Sequence, residues 1–139
     1  MATVIRPEIS EKNKYYIDKH RYYELKHFCL QYKEWKKNYE LCNESIIFAS
    51  TVDGLPGSGG VSDLTAKYAM KKLCYGQRIS VIEQAAKDSD EFLYPYILRA
   101  VTEGLSYTYL KSKLNIPCGR DMYYDRYRKF FWLLSEARN

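Results

Sequence analysis

Basic side chains that could bind a polyanion are concentrated in the last quarter of the chain. Residues 104–139 carry seven Lys/Arg and three Asp/Glu, a surplus of four, whereas the net charge of the whole chain is +5. Lysine, arginine and serine side chains bind phosphate oxygens and so position a protein on nucleic acid without reading its sequence. This surplus therefore favours a polyanionic partner. The candidate phosphate contacts are Ser106, Lys111, Lys113, Arg126 and Lys129.

A second group of side chains in the same region could contact the base edges of double-stranded DNA. Arg120, Tyr124 and Arg128 follow one another at intervals of four residues, which places them along one side of a helix. Together with Asp121 and Asp125, they are expected to form its outward face. An arginine in the first turns of a helix that enters the major groove can bind guanine bidentately. The two aspartates are expected to pair with Arg128 and Lys129 at helical spacing.

The elements that must position these side chains are a short helix, a turn and a longer helix. Ser106 is the expected N-cap of a helix over Tyr107–Leu114, and Pro117 prevents its continuation. A second helix is expected from residue 119 or 120 to about 137. This is the helix-turn-helix layout, and a helix over 90–102 would complete a tri-helical bundle. The expected core of that bundle is Leu98, Leu105, Leu110, Ile116 and Tyr127, and the apolar face of its last helix is Tyr123, Tyr127, Phe130, Phe131 and Leu134.

The first third of the chain is rich in tyrosine and predicts one long helix. No Gly or Pro occurs in residues 8–53, so this helix is expected from about Glu8 to Ala49. Apolar residues recur along it at alternating intervals of three and four. We interpret this seam as a helix-packing surface, with a stacking surface for nucleic-acid bases as the alternative. The seam consists of Leu25, Phe28, Tyr32, Trp35, Tyr39, Cys42 and Ile46.

A glycine-rich segment follows this helix. Residues 51–62 contain four glycines and a proline, which predicts a flexible connector. Gly54 and Gly59 have the spacing of a phosphate-binding loop, but such a loop needs lysine after the second glycine, and residue 60 is Gly. Nucleotide binding is therefore not expected. A second helix is expected from residue 62 or 63 to about Lys87, with Gly76 marking a weak point or a close helix crossing.

The predicted fold is all-α, with two parts. Residues 1–88 form a long helical hairpin, with the connector over 51–62, that could serve as a dimerisation arm. Residues 89–139 form the helix-turn-helix module. No apolar run approaches the roughly 20 residues of a membrane helix, and the first residues do not form a signal peptide. We therefore expect a cytoplasmic protein with no membrane partner.

Other site types find little support in the sequence. The four cysteines are at least thirteen residues apart, without a C-x-x-C motif, and are expected to be reduced thiols. His20 and His27 are seven apart, whereas a zinc site favours histidines three or four apart with further ligands nearby. No nucleophile–base pair or paired carboxylates are recognisable. We expect no metal, no cofactor and no enzymatic activity.

The C-terminal sequence resembles a known family. The run from Thr102 to Leu134 holds the turn Ile-Pro-Cys-Gly-Arg and the aromatic helix after it, and it looks like the C-terminal module of small prophage-encoded proteins from Firmicutes. These are similar to phage transcriptional regulators of the RinA/ArpU type, whose module resembles the promoter-reading C-terminal domain of sigma factors. Ser62-Asp-Leu-Thr-Ala66 and Ile82-Glu83-Gln-Ala-Ala look like the middle of such proteins, so the resemblance covers about residues 60–139.

The resemblance implies a sequence-specific DNA-binding regulator, of phage late genes, in which Arg120, Tyr124 and Arg128 face DNA. Two alternatives stay open. The chain could be a protein-interaction adaptor that binds RNA polymerase or a host protein, with the helix-turn-helix as a scaffold. It could also be a phage DNA-packaging subunit, because fold alone does not separate packaging from transcription. A homodimer through residues 11–88 would require DNA half-sites about one helical turn apart, or a multiple of that.

Overall fold

All regular elements that the structure describes are α-helices. The structure is a computed structural model that describes residues 13–51 and 59–139. The all-α class predicted from the sequence is confirmed for these ranges. None of the helices in them is both long enough and apolar enough to cross a membrane. The helices are α1 (Lys19–Leu30), α2 (Tyr32–Thr51), α3 (Gly59–Ser89), α4 (Tyr94–Glu103), α5 (Tyr107–Leu114) and α6 (Arg120–Ala137).

The chain divides into two compact units. The first, here called the C-terminal unit, comprises Met1–Gln31 and Val81–Asn139, and the second, the middle unit, comprises Tyr32–Ser80. Among the described residues, the C-terminal unit therefore contains α1, the end of α3 and all of α4, α5 and α6. These boundaries differ from the division at residue 88 suggested by the sequence, because α1 packs on α4 and α6.

The single helix expected from Glu8 to Ala49 is wrong for the described residues, and residues 8–12 lie outside them. Helix α1 begins only at Lys19, after the N-cap Asp18, whose carboxylate accepts a hydrogen bond from the His20 amide at 3.1 Å. It ends at Leu30, and the Gln31 amide donates to the Phe28 carbonyl at 3.3 Å, three residues back. This tighter i→i−3 bond interrupts the α-helical pattern without any Gly or Pro.

Buried rings and aliphatic side chains of α1, α4 and α6 form the core of the C-terminal unit. Leu25, Ile97, Phe130 and Phe131 have no solvent exposure. The Tyr22 ring packs edge-on against Phe131, with ring centroids 5.1 Å apart. Each such buried side chain stabilises the fold by about 1.5–3 kcal/mol. The predicted apolar face of α6 is confirmed, with Tyr123, Phe130, Phe131 and Leu134 buried and Tyr127 half-buried.

In the middle unit, side chains of α2 contact side chains of α3. The Arg78 guanidinium lies over the Trp35 ring at 5.5 Å, and Lys72 Nζ donates to Asn43 Oδ1 at 2.9 Å. A Cβ on Gly76 would lie 3.2 Å from the Tyr39 ring. Of the two interpretations of Gly76 from the sequence, a weak point or a close helix crossing, the structure therefore favours the crossing. Within α2 the apolar seam serves packing, with Tyr32, Trp35 and Cys42 buried and Tyr39 and Ile46 half-buried.

The helices flanking the glycine-rich segment reach further into it than expected. Helix α2 ends at Thr51, and α3 begins at Gly59 rather than at residue 62 or 63. Residues 52–58, including Gly54 of the loop motif considered above, lie outside the described residues. The prediction of a flexible connector is therefore limited to those seven residues.

Candidate functional site

The start of α5 is fixed by a left-handed glycine and a serine cap. Gly104, with φ 70° and ψ 36°, ends α4, and the Leu105 amide donates to the Ala100 carbonyl at 3.0 Å. Ser106 Oγ then accepts a hydrogen bond from the Tyr109 amide at 3.2 Å, which confirms the predicted N-cap. A hydroxyl that accepts one bond can still donate its hydrogen, so this exposed group can also bind a phosphate oxygen.

The turn between α5 and α6 is held by backbone and side-chain hydrogen bonds. Asn115 adopts a left-handed conformation, with φ 55° and ψ 45°, and the Ile116 amide donates to the Leu110 carbonyl at 3.1 Å. The Tyr107 hydroxyl donates to the Cys118 carbonyl at 2.7 Å. Ile116 is only 1% exposed and anchors the turn in the core. The first turn of α6 is thereby held close to the first turn of α5.

Lys111 and Lys113 lie in the last turn of α5, and both are exposed. No acidic residue occurs between Gly104 and Gly119, so nothing in that stretch neutralises them. Burial raises the pKa of the Cys118 thiol, while the positive charge of Lys111 acts in the opposite direction and the Asp90 carboxylate reinforces the rise.

Arg120 and Tyr124 contact the aromatic side chains near the start of α5. The exposed Arg120 guanidinium lies over the Tyr107 ring at 5.1 Å, a cation–π contact that restrains it. The Tyr124 ring centroid lies 6.4 Å from that of Tyr107 and 5.9 Å from that of Tyr127. Tyr124 is therefore half-buried in a cluster of tyrosines.

The outward face predicted for α6 needs correction. Arg120, Tyr124, Tyr127 and Phe131 follow at intervals of four, three and four residues, so they share one stripe of the helix. That stripe borders the core, because Phe131 is completely buried. Asp121 is exposed, as expected for the outer side. Arg120 and Tyr124 thus lie at the edge of α6 that faces α5, rather than opposite the core.

Arg126 is held within the protein by two carboxylates. Its Nε donates to Asp90 Oδ2 at 3.1 Å, and its Nη1 donates to Asp125 Oδ2 at 2.8 Å. The expected pairing of Asp125 with Arg128 or Lys129 is therefore wrong, because its partner is the adjacent Arg126. A phosphate contact by Arg126 would have to compete with both ion pairs.

Arg128 and Lys129 are half-buried on α6. Nε of Arg128 is buried, and it has no hydrogen-bond partner among the described residues. A buried donor left without an acceptor costs about 1–3 kcal/mol, so an anion that reached this group would gain affinity from it. Of the eight residues predicted for the site, Arg120 and Tyr124 both contact the Tyr107 ring. Ser106 and Tyr124 line a cleft beside that ring.

The sequence does not predict that cleft. It lies in the C-terminal unit among α1, α4, α5 and α6, and its lining includes Tyr22 and Lys26 of α1. Tyr22 OH and Tyr127 OH form a hydrogen bond of 2.7 Å across 105 positions of sequence. No local pattern signals a contact between such distant segments. The spacing of Tyr22 and Lys26, one helical turn apart, showed only that both lie on one side of α1.

Metal chemistry has no visible site in the part of the chain described here. Within residues 13–51 and 59–139, no three His, Cys, Asp or Glu side chains come together as a metal site would require. The four cysteines are free thiols. Comparison of the chain with protein-family models, with curated proteins and with solved structures found no match. We therefore infer function from the geometry of the α5–α6 region.

Proposed function

We propose that this protein is a phage-type, sequence-specific DNA-binding transcriptional regulator in which α5, the following turn and α6 form a helix-turn-helix. The observation that carries the proposal is the arrangement of Lys111, Lys113 and Arg120. All three are exposed, they flank the five-residue turn between the helices, and no acidic side chain lies in 104–119. Such a concentration of positive charge at a helix pair suits the phosphate backbone.

The length of α6 and the exposure of its first turn also suit insertion of that turn into a major groove. Its 18 residues make it about 27 Å long, and the residues at its N-terminus would reach the base edges. Arg120 is the candidate for bidentate contact with guanine, because its stacking on Tyr107 reduces the freedom it would lose on binding. Lys111, Lys113 and the Ser106 hydroxyl would bind phosphates on the adjacent strand.

The other predicted contacts differ in what supports them. Arg128 has a buried donor without a described partner, which favours an anionic ligand. Lys129 is half-buried on the same helix and would bind phosphate through its ammonium group. Arg126 is the weakest candidate, because it already binds Asp90 and Asp125. Tyr124 would contact DNA only through the edge of its ring that the tyrosine cluster leaves accessible.

Fluorescence anisotropy with a labelled DNA library at two salt concentrations tests the proposal. Affinity should fall steeply with salt, and binding should enrich one sequence. Lys111→Ala combined with Lys113→Ala should weaken binding to all sequences and reduce the salt slope by about 2. Arg120→Ala should cost about 1–3 kcal/mol on the enriched site and little on random DNA.

Lys87→Ala provides the matched control, because Lys87 is an exposed lysine of the C-terminal unit outside α5 and α6. It should leave the affinity and the salt slope unchanged. Equal losses with Arg120→Ala on both DNA pools would make Arg120 a phosphate contact. An absence of binding at low salt, or a Lys87→Ala variant as weak as the α5 double variant, would contradict the proposal.

A second candidate function is protein interaction through the middle unit. Large apolar side chains are exposed there, and a contiguous patch of such side chains would mark a protein interface. The partner would be a second copy of the chain, RNA polymerase or another protein. A homodimer would appear in the DNA experiment as two half-sites about one helical turn apart, or a multiple of that, whereas an adaptor would enrich no DNA sequence. The exposed residues are Leu41, Ile47, Phe48, Leu64, Met70 and Leu73.

A further inference from the structure

A cleft of about 230 Å³ lies in the C-terminal unit between the helix pair α5–α6 and the helices α1 and α4. Six of its thirteen lining residues are aromatic. One cation, Lys26, lines it, and none of its lining residues is acidic. Gly104 and Ser106 at the start of α5 are exposed, so the cleft is accessible from solvent there. The aromatic lining consists of Tyr22, Tyr107, Tyr123, Tyr124, Tyr127 and Phe131.

Two of the aromatic residues that line the cleft, Tyr123 and Tyr127, carry no charge at neutral pH. Burial, together with the neighbouring tyrosines, raises the pKa of Tyr123 and Tyr127 above the ordinary value for tyrosine. Their hydroxyls therefore stay protonated and act as neutral hydrogen-bonding groups, as in the 2.7 Å bond between Tyr127 and Tyr22. The ammonium group of Lys26 is the one formal charge among the lining residues.

The size of the cleft limits what it can hold. An apolar protein cavity of about 150 Å³ takes up benzene. A cleft of about 230 Å³ therefore has room for one aromatic ring and a small substituent. Rings stack or pack edge-on against tyrosine, and a negatively charged substituent would be attracted to Lys26.

We propose that this cleft binds a small planar aromatic molecule with one negative charge, of the aromatic carboxylate class. The ring packs against the aromatic rings that line the cleft, and the carboxylate accepts a hydrogen bond from Lys26. Saturated acids of the same size fit less well because they lack the flat face that the tyrosine rings contact. Neutral aromatic molecules leave the Lys26 charge without a partner.

Occupancy of the cleft would also affect the proposed DNA interface. Ser106 and Tyr124 line the cleft, and Tyr107, another lining residue, supports Arg120 through its ring. A ligand that moved Tyr107 or Tyr124 would change the position of Arg120 and hence the affinity for DNA. This regulatory role rests on the proposed function, whereas binding of the ligand does not.

Isothermal titration calorimetry of the full chain, without DNA, tests the site with three probes. Benzoate should bind with a stoichiometry of one, and at least about tenfold more tightly than benzyl alcohol or cyclohexanecarboxylate. Lys26→Met should weaken benzoate binding at least about tenfold and leave benzyl alcohol binding unchanged. Lys26→Arg keeps the charge and should retain benzoate binding, which separates loss of charge from loss of fold. Lys87→Met should change nothing.

Two results would overturn the site. One is benzoate binding no tighter than that of benzyl alcohol, including no binding of either at millimolar concentration. The other is full benzoate affinity in Lys26→Met. The regulatory role has its own test, in which benzoate added to the anisotropy assay should change DNA affinity for the wild type but not for Lys26→Met. If bound benzoate leaves the DNA affinity of the wild type unchanged, only the regulatory role is overturned. If the protein does not bind DNA at all, the proposed function is overturned while the calorimetric result stands.

Discussion

Asp90 connects the beginning of α4 with the middle of α6. Its Oδ1 accepts hydrogen bonds from the Phe92 and Leu93 amides at 2.8 Å each, and its Oδ2 accepts one from Arg126 at 3.1 Å. Desolvation by burial acts to raise the pKa of this carboxyl, but the hydrogen bonds from the two amides and from Arg126 outweigh it. The pKa is therefore below the ordinary 3.8. A lowered pKa means that the folded protein favours the ionised form.

Asp90→Asn should destabilise the protein by about 1 kcal/mol at neutral pH, the upper end for a surface ion pair. Asparagine can still accept from the amides, but its uncharged NH₂ or oxygen cannot replace the ion pair with Arg126. We place the value at that end because the Asp90 side chain is only 11% exposed. Denaturant unfolding of both proteins at several pH values measures the effect.

The pH dependence of this difference has a definite sign. Because the folded pKa is lowered, the stabilisation by Asp90 is complete above the unfolded pKa of about 3.8 and is lost as the pH falls through the lower folded value. The gap between wild type and Asp90→Asn should therefore be constant from pH 6 to 8 and shrink in acid. Asp88→Asn, on an exposed neighbour, should have little effect. A gap that widened in acid would contradict this assignment.

At the scale of single residues, local chemistry was predictable and distant pairing was not. Ser106 was predictable as an N-cap because the cap depends on the amide three residues later. The partner of Arg126 lies 36 residues away, so its ion pair with Asp90 depends on how α4 and α6 pack. The sequence pattern places Tyr124 outward because the apolar spacing defines the centre of the inward face and leaves its boundary undefined.

At the scale of elements, two glycines that flank α5 have different roles. Gly104 ends α4 with φ 70°, a conformation that side chains disfavour, and a Cβ there would lie 3.7 Å from Leu30, an ordinary contact. Gly119 is the N-cap of α6 with φ −79°, and a Cβ there would meet nothing within 4 Å. The cost of a side chain at Gly104 is therefore backbone strain rather than a clash.

Gly104→Ala should lower the free energy of unfolding by about 1–2 kcal/mol, the cost of a left-handed residue with a Cβ. Gly119→Ala is the matched control and should change it by less than about 0.5 kcal/mol, because reduced freedom of the unfolded chain offsets a poorer N-cap. Denaturant titrations of the two variants give both values. Equal losses at the two positions would show that φ at Gly104 is not the cause.

Helices α5 and α6 were predictable almost to the residue, because Ser106 and Pro117 mark boundaries that depend on nearby backbone groups. The break at Gln31 was not predictable in this way. Its amide donates to the carbonyl three residues back, and no residue type in that stretch forbids a continuous helix. Packing of α1 on α4 and α6 gives a physical reason for the helix to end at Gln31. That packing joins segments far apart in sequence, so a local pattern does not predict it.

At the scale of the whole molecule, one helix belongs to two units. Helix α3 runs without interruption over Gly59–Ser89, yet residues up to Ser80 belong to the middle unit and those from Val81 to the C-terminal unit. Each unit has its own buried aromatic side chains, with Trp35 6% exposed in the middle unit and Phe130 fully buried in the C-terminal unit. Units with separate contacts can open separately, with different free energies.

Trp35→Ala and Phe130→Ala should therefore each affect mainly their own unit. Removing a buried ring costs about 3–5 kcal/mol through lost burial and the cavity left behind. Measured by hydrogen exchange, Trp35→Ala should accelerate exchange in α2 and in residues 59–80 while α4 and α6 stay protected, and Phe130→Ala should do the reverse. If either substitution accelerated exchange equally in all helices, α3 would couple the two units into one cooperative whole, and separate opening would be excluded.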